Sequence, residues 1–150
     1  MRKLFAILAI LLTAAAAMQL YFAAIGVFSN PDDELFKIHG FNGQIVLRVL
    51  PLLMIIVGAI AKVGRSLIWQ SAWVLILSLV QLLLFILAGV LFGATKESVD
   101  VPIGATIMLG FHGLVGMAMI GLSIEILRKA IPLGFPRSGT KTPEEVTPVS

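Results

Sequence analysis

The sequence predicts an all-α membrane protein: a polytopic four-helix bundle built from two parallel-repeat helical hairpins, with both termini in the cytoplasm. Three observations carry that expectation. Hydrophobic residues make up 59% of the 150 residues and charged residues 13%, against about 45–50% and 25% in soluble domains, and the mean hydropathy is +1.04. The apolar residues gather into four runs, each long enough for a hydrocarbon core about 30 Å thick, which takes roughly 20 helical residues. The charges collect in the breaks between runs, basic on alternate sides. Cysteine is absent, which excludes disulfides, thiolate metal sites and iron–sulfur clusters. The net charge of +3 sits beside apolar spans rather than in a solvated patch. The expected partner is therefore the lipid bilayer, with no role for nucleic acid.

The first span covers residues 4–28. Its opening MRK, apolar run and alanines at 14–17 imitate a signal peptide, but the run continues through QLYFAAIGVF, so the helix is expected to be retained. The second span covers 43–61. It extends from 31 if the helix begins at Asn30-Pro31-Asp32-Asp33, a capping residue followed by proline and first-turn acids. The third covers 67–94 and the fourth 101–127. These spans make residues 1–130 one transmembrane domain. The Pro-, Ser- and Thr-rich stretch 131–150 is expected to be a disordered tail.

Lysine and arginine beside span ends set orientation. Arg2, Lys3, Lys62, Arg65, Arg128, Lys129, Arg137 and Lys141 fall on one side. The other holds only Lys37 and Lys96, with Asp32, Asp33, Glu34, Glu97 and Asp100. The first side is expected to be cytoplasmic, and Trp69 and Trp73 suit an interfacial belt there.

The chain repeats itself. Gln19 followed by Gly26-Val27-Phe28 matches Gln81 followed by Gly89-Val90-Leu91, and HGFNG at 39–43 matches HGLVG at 112–116. Parallel repeats are related by an axis along the membrane normal, which would set Gln19 against Gln81 and His39 against His112. The order Gln, Gly-Val-Phe, His-x3-Gly, Gln, His-x3-Gly resembles a family of small four-helix prokaryotic membrane proteins known as a domain of unknown function, over about residues 1–130. The layout is also similar to one half of haem A synthase. That second resemblance implies haem ligation by His39 and His112, although the synthase's Glu-bearing motif and second half are missing here.

The residues support a site independently of the resemblance. Imidazoles in hydrocarbon cost several kcal/mol unless satisfied, so polar groups there are functional suspects. His112 lies about ten residues into its span, near 15 Å, and His39 about eight residues, near 12 Å, if its helix begins at 31. Gly43 and Gly116, four residues on, share the histidine face and would admit a flat ring. Haem b iron, taking axial imidazoles from two sides, fits such a pair. Helix packing through small residues and a proton or ion path are the other readings. Gln19 and Gln81 would orient the imidazoles or bond helix to helix. Arg48 is too deep to snorkel, about 21 Å from Lys62 by helical rise. Gln44, the Leu47 carbonyl freed by Pro51, or an anionic group such as a haem propionate would relieve it. On an ideal helix, however, it stands 180° from His39.

Two function classes follow. The first is a b-type cytochrome-like protein with one haem between His39 and His112, serving electron transfer beside quinone or a larger redox complex. The second is a non-redox transporter, channel or scaffold in which the same residues line a polar path. A homo-oligomer is compatible with either.

Overall fold

A computed structural model of the chain describes residues 1–94, 98 and 100–136. Four long apolar helices dominate them: α1 (Arg2–Phe28), α2 (Phe36–Ala61), α3 (Arg65–Phe92) and α4 (Ile103–Gly134). No strand occurs among the described residues. The protein is a multi-pass membrane four-helix bundle, and its outward faces carry exposed Ile7, Leu53, Ile76 and Leu114 as lipid contact requires.

Each helix packs against its two chain or ring neighbours: α1 on α2, α2 on α3, α3 on α4, and α4 back on α1. The backbones of the diagonal pairs, α1 with α3 and α2 with α4, make no close contact. One end of the bundle, formed by the start of α1, the turn at 62–64 and the close of α4, is tightly packed. Phe5, Leu12, Met54, Val74 and Ile126 are fully buried there. A β-carbon on Gly134 would lie 2.5 Å from Ala6 Cβ, and one on Gly58 would lie 3.1 Å from the Phe5 ring. The turn itself needs left-handed backbone: Lys62 has φ +50°, and Gly64, at φ +107°, occupies a region open essentially to glycine. Thr13 Oγ1 ties α1 to α4, donating to Ala9 O at 2.9 Å and approaching Ser123 O at 3.1 Å.

The expected spans hold to within a few residues, with two differences. α4 runs past 127 to Gly134, into the first residues expected as tail, because Ala130 is fully buried and Gly134 packs on α1. Residues 137–150, and with them Arg137 and Lys141, lie outside the described residues, as do Lys96 and Glu97. The second difference is the start of α2, which is neither 31 nor 43. Glu34 adopts φ +52°, which no α-helix continues through. Pro31–Asp33 therefore form a separate 3-10 turn, and the helix begins at Phe36.

α2 carries one further irregularity. Residues Asn42–Val46 form a π-helical turn, closed by the Leu47 N–H bonding Asn42 O, five residues back. Glycines at 40 and 43 weaken the α-helical alternative, and the buried Asn42 side chain reaches α1 from this turn.

Candidate functional site

Toward the end opposite the tight core, the four helices line a half-open cavity of about 1040 Å³, just above the usual range of roughly 300–1,000 Å³ for small-molecule sites. His39, His112, Gln19, Gln81, Gly43, Gly116 and Arg48 all line it. The sequence pairs the histidines, glutamines and glycines by repeat, and the fold brings them to one space together with Arg48, which an ideal helix would set on the face opposite His39.

The two histidines come from the diagonal helices α2 and α4. Their ring centroids are 6.1 Å apart with planes tilted by 58°, and no hydrogen bond joins them. Each is flanked by a phenylalanine. Phe36 lies 5.0 Å from the His39 ring, and Phe85 meets the His112 ring edge-on at 4.9 Å.

His39 sits only three residues into α2, yet it is level with Gln19, which lies nine residues before the end of α1, about 14 Å by helical rise. Its Nδ1 donates to the Gln19 main-chain carbonyl at 3.1 Å. A carbonyl can only accept, so the neutral ring carries its lone pair on Nε2. The Gln19 side chain uses both amide protons on the same residue, one to His39 O at 3.0 Å and one toward His39 Nε2 at 3.2 Å. Its oxygen accepts from Asn42 Nδ2 at 2.6 Å, and Asn42 Nδ2 also donates to Ala15 O at 2.9 Å. Gly43 makes this network possible, because a β-carbon there would stand 2.8 Å from Gln19 Nε2.

The other half is built alike but bonded differently. Gln81 lies over Gly116, where a β-carbon would stand 3.5 Å from Gln81 Nε2. That nitrogen reaches only the Met119 sulfur, at 4.0 Å, a weak acceptor. Gln81 Oε1 and His112 Nδ1 are buried without a hydrogen-bond partner among the described residues, and so is Arg48 Nε. Buried polar atoms are rarely left so, and these three converge on one cavity.

Arg48 shows what the sequence could not convey. Nine α-helical steps from His39 put it on the opposite face, but the π turn at 42–46 lies between them. One extra residue in that turn makes nine steps count as eight, leaving the two about 80° apart. Side chains lean toward the N-terminus of their helix, and Arg48 lines the same cavity as the histidines. It forms no ion pair among the described residues.

Phe36, Phe85 and Asn42 were missed by sequence reasoning. The phenylalanines carry no signal within apolar runs. Asn42 does carry one, as an amide inside a span, and its place between two glycines of the repeated motif would have found it.

No curated protein and no solved structure matches the chain. Residues 19–92, from Gln19 of the hydrogen-bonded network to the close of α3, match the model of a family of unknown function, DUF6220, which is consistent with the resemblance that the motifs carry.

Proposed function

We propose that the protein binds one haem b between His39 and His112 and works as an electron-carrying or accessory subunit in the cell membrane, with both termini in the cytoplasm. The observation that carries this reading is the spacing of the rings. An imidazole nitrogen sits about 2 Å from a first-row metal, and the ring centre about 1 Å further back. Two imidazoles holding one metal between them would therefore have centres roughly 6 Å apart, and these lie 6.1 Å apart.

The remaining residues support the same ligand. Gly43 and Gly116 leave room for the Gln19 and Gln81 amides on the histidine side of each helix. The Nδ1–H bond of His39 to a main-chain carbonyl is the support a ligating histidine ordinarily has. Arg48, half-buried with its Nε shielded and unpartnered among the described residues, suits a propionate through charge-assisted hydrogen bonds. Bound there, haem supplies a one-electron couple, and exchange with quinone or a larger redox complex follows from its apolar surroundings. The basic residues at the start of α1, at 62–65 and at 128–129 favour a cytoplasmic position for that end.

The test is an absorption spectrum of protein purified from cells supplied with haem precursor. A Soret band with sharp reduced α and β bands supports the reading. A folded, monodisperse and colourless protein overturns it, and leaves the polar path of a non-redox transporter or channel as the function of the cavity.

A further inference from the structure

The two histidines do not stand equally ready to hold a metal. His39 has both ring nitrogens engaged by Gln19, Nδ1 by the main-chain carbonyl and Nε2 by the side-chain amide. His112 has a buried Nδ1 with no partner. The Gln81 amide, which stands over Gly116 as Gln19 stands over Gly43, bonds Met119 instead of the imidazole. The difference is traceable to single positions. Asn42, in the π turn, holds the Gln19 oxygen and so aims the Gln19 nitrogen at His39. The matching position in the second motif is Val115, which can hold no amide.

We propose that His39 is an exchangeable ligand, and that Gln19 is the residue that competes for it. This rests on the haem reading above and adds a binding function to it. With haem bound, His39 Nε2 would either hold the metal, with the Gln19 amide turned away, or keep the Gln19 N–H bond seen here. Nδ1 keeps its hydrogen on the Gln19 carbonyl in both cases, so no electron or proton moves. His112 would hold the haem in both, and release of His39 would leave room on its side of the cavity for a small neutral ligand of the carbon monoxide type.

The roles of side chain and main chain at residue 19 separate cleanly. Gln19→Ala removes the competing amide but leaves the carbonyl that orients His39. It should therefore raise the ratio of six-coordinate low-spin to five-coordinate high-spin haem by about fivefold to tenfold, the factor for one net hydrogen bond. A merely structural Gln19 predicts the opposite sign, since loosening the α1–α2 contact would release His39. Gln19→Glu presents an acceptor to Nε2, holds a proton there, and should give high-spin haem.

The experiment uses full-length protein in detergent, with spin state read from the ferric absorption spectrum and carbon monoxide uptake titrated after reduction with dithionite. Expected are a mixed-spin spectrum and carbon monoxide binding in the natural protein. Gln19→Ala should be more low-spin, with carbon monoxide affinity lowered by the same fivefold to tenfold. His39→Ala should keep its haem, wholly high-spin, and still bind carbon monoxide, whereas His112→Ala should lose the haem. Haem that is fully low-spin, takes up no carbon monoxide and ignores Gln19→Ala overturns the exchange while leaving the haem site standing. A shift toward high-spin in Gln19→Ala overturns it as well. Absence of haem from the natural protein overturns both.

Discussion

Gly43 and Gly116 occupy the same place in the two His-x3-Gly motifs, and the structure expects opposite responses to the same substitution. Alanine in place of helical glycine is worth about 1 kcal/mol from backbone entropy alone. At Gly116 the new β-carbon meets Gln81 Nε2 at 3.5 Å, an ordinary contact, so Gly116→Ala should gain up to about 1 kcal/mol. At Gly43 the β-carbon falls 2.8 Å from Gln19 Nε2, and that amide must move. Three hydrogen bonds depend on its position: those to His39 O and His39 Nε2, and the Asn42 bond to its oxygen. Such bonds in membrane helices average about 0.6 kcal/mol, so moving the amide costs about 2 kcal/mol. The propensity gain offsets half of this. Gly43→Ala should lose about 1 kcal/mol, and the two variants should differ by about 2 kcal/mol. Unfolding in mixed micelles with increasing dodecyl sulfate, followed by the fluorescence of Trp69 and Trp73, measures the difference. Equal midpoints, or a stabilised Gly43→Ala, would show that Gln19 is not held as described.

Arg48→Met should weaken haem retention roughly tenfold to a hundredfold, the loss of one charge-assisted hydrogen bond, while raising stability because a charged group with a buried, unpartnered Nε is removed. Haem titration and unfolding midpoints on the same samples check both signs. Gly134→Leu should destabilise by about 1–3 kcal/mol through overpacking, since the position faces Ala6 Cβ and the Arg2 carbonyl. An unchanged midpoint would mean the end of α4 is not docked. A tag inserted at Asp33 should be labelled by a membrane-impermeant reagent in intact cells, and a tag before Arg2 should not. The reverse pattern would invert the orientation.

The number, length and order of the helices were legible because spanning hydrocarbon leaves the backbone few alternatives: four apolar runs with charged breaks must become four helices. Most of the polar residues that line the cavity were legible for a related reason. His39, His112, Gln19, Gln81 and Arg48 are expensive where they are, and expense inside a membrane needs a reason. What stayed hidden were departures from helical regularity. Glu34 takes a left-handed conformation that its residue type does not announce, so the start of α2 was misplaced on both readings. The π turn at 42–46 depends on Asn42 reaching across to Ala15 O and Gln19 Oε1, contacts between residues 23 to 27 positions apart. Periodicity within one helix cannot report them, so Arg48 read as facing away from the cavity that it lines.

The uneven filling of the bundle has a mechanical consequence. Among the described residues, every large, fully buried side chain lies in the half that carries Met1 and Gly134, while the buried positions toward the other end are Asn42, Leu47, Ala88 and Ala105. Stiffness follows packing density, so the molecule behaves as a clamp with a rigid root and compliant tips. Spreading the tips separates few apolar contacts and strains mainly the polar links around Gln19. Amide protons at the root should therefore exchange only with global unfolding, and those near residues 20–28 and 85–92 by small openings. A rigid, bulky ligand could pass between the helix tips without the bundle coming apart.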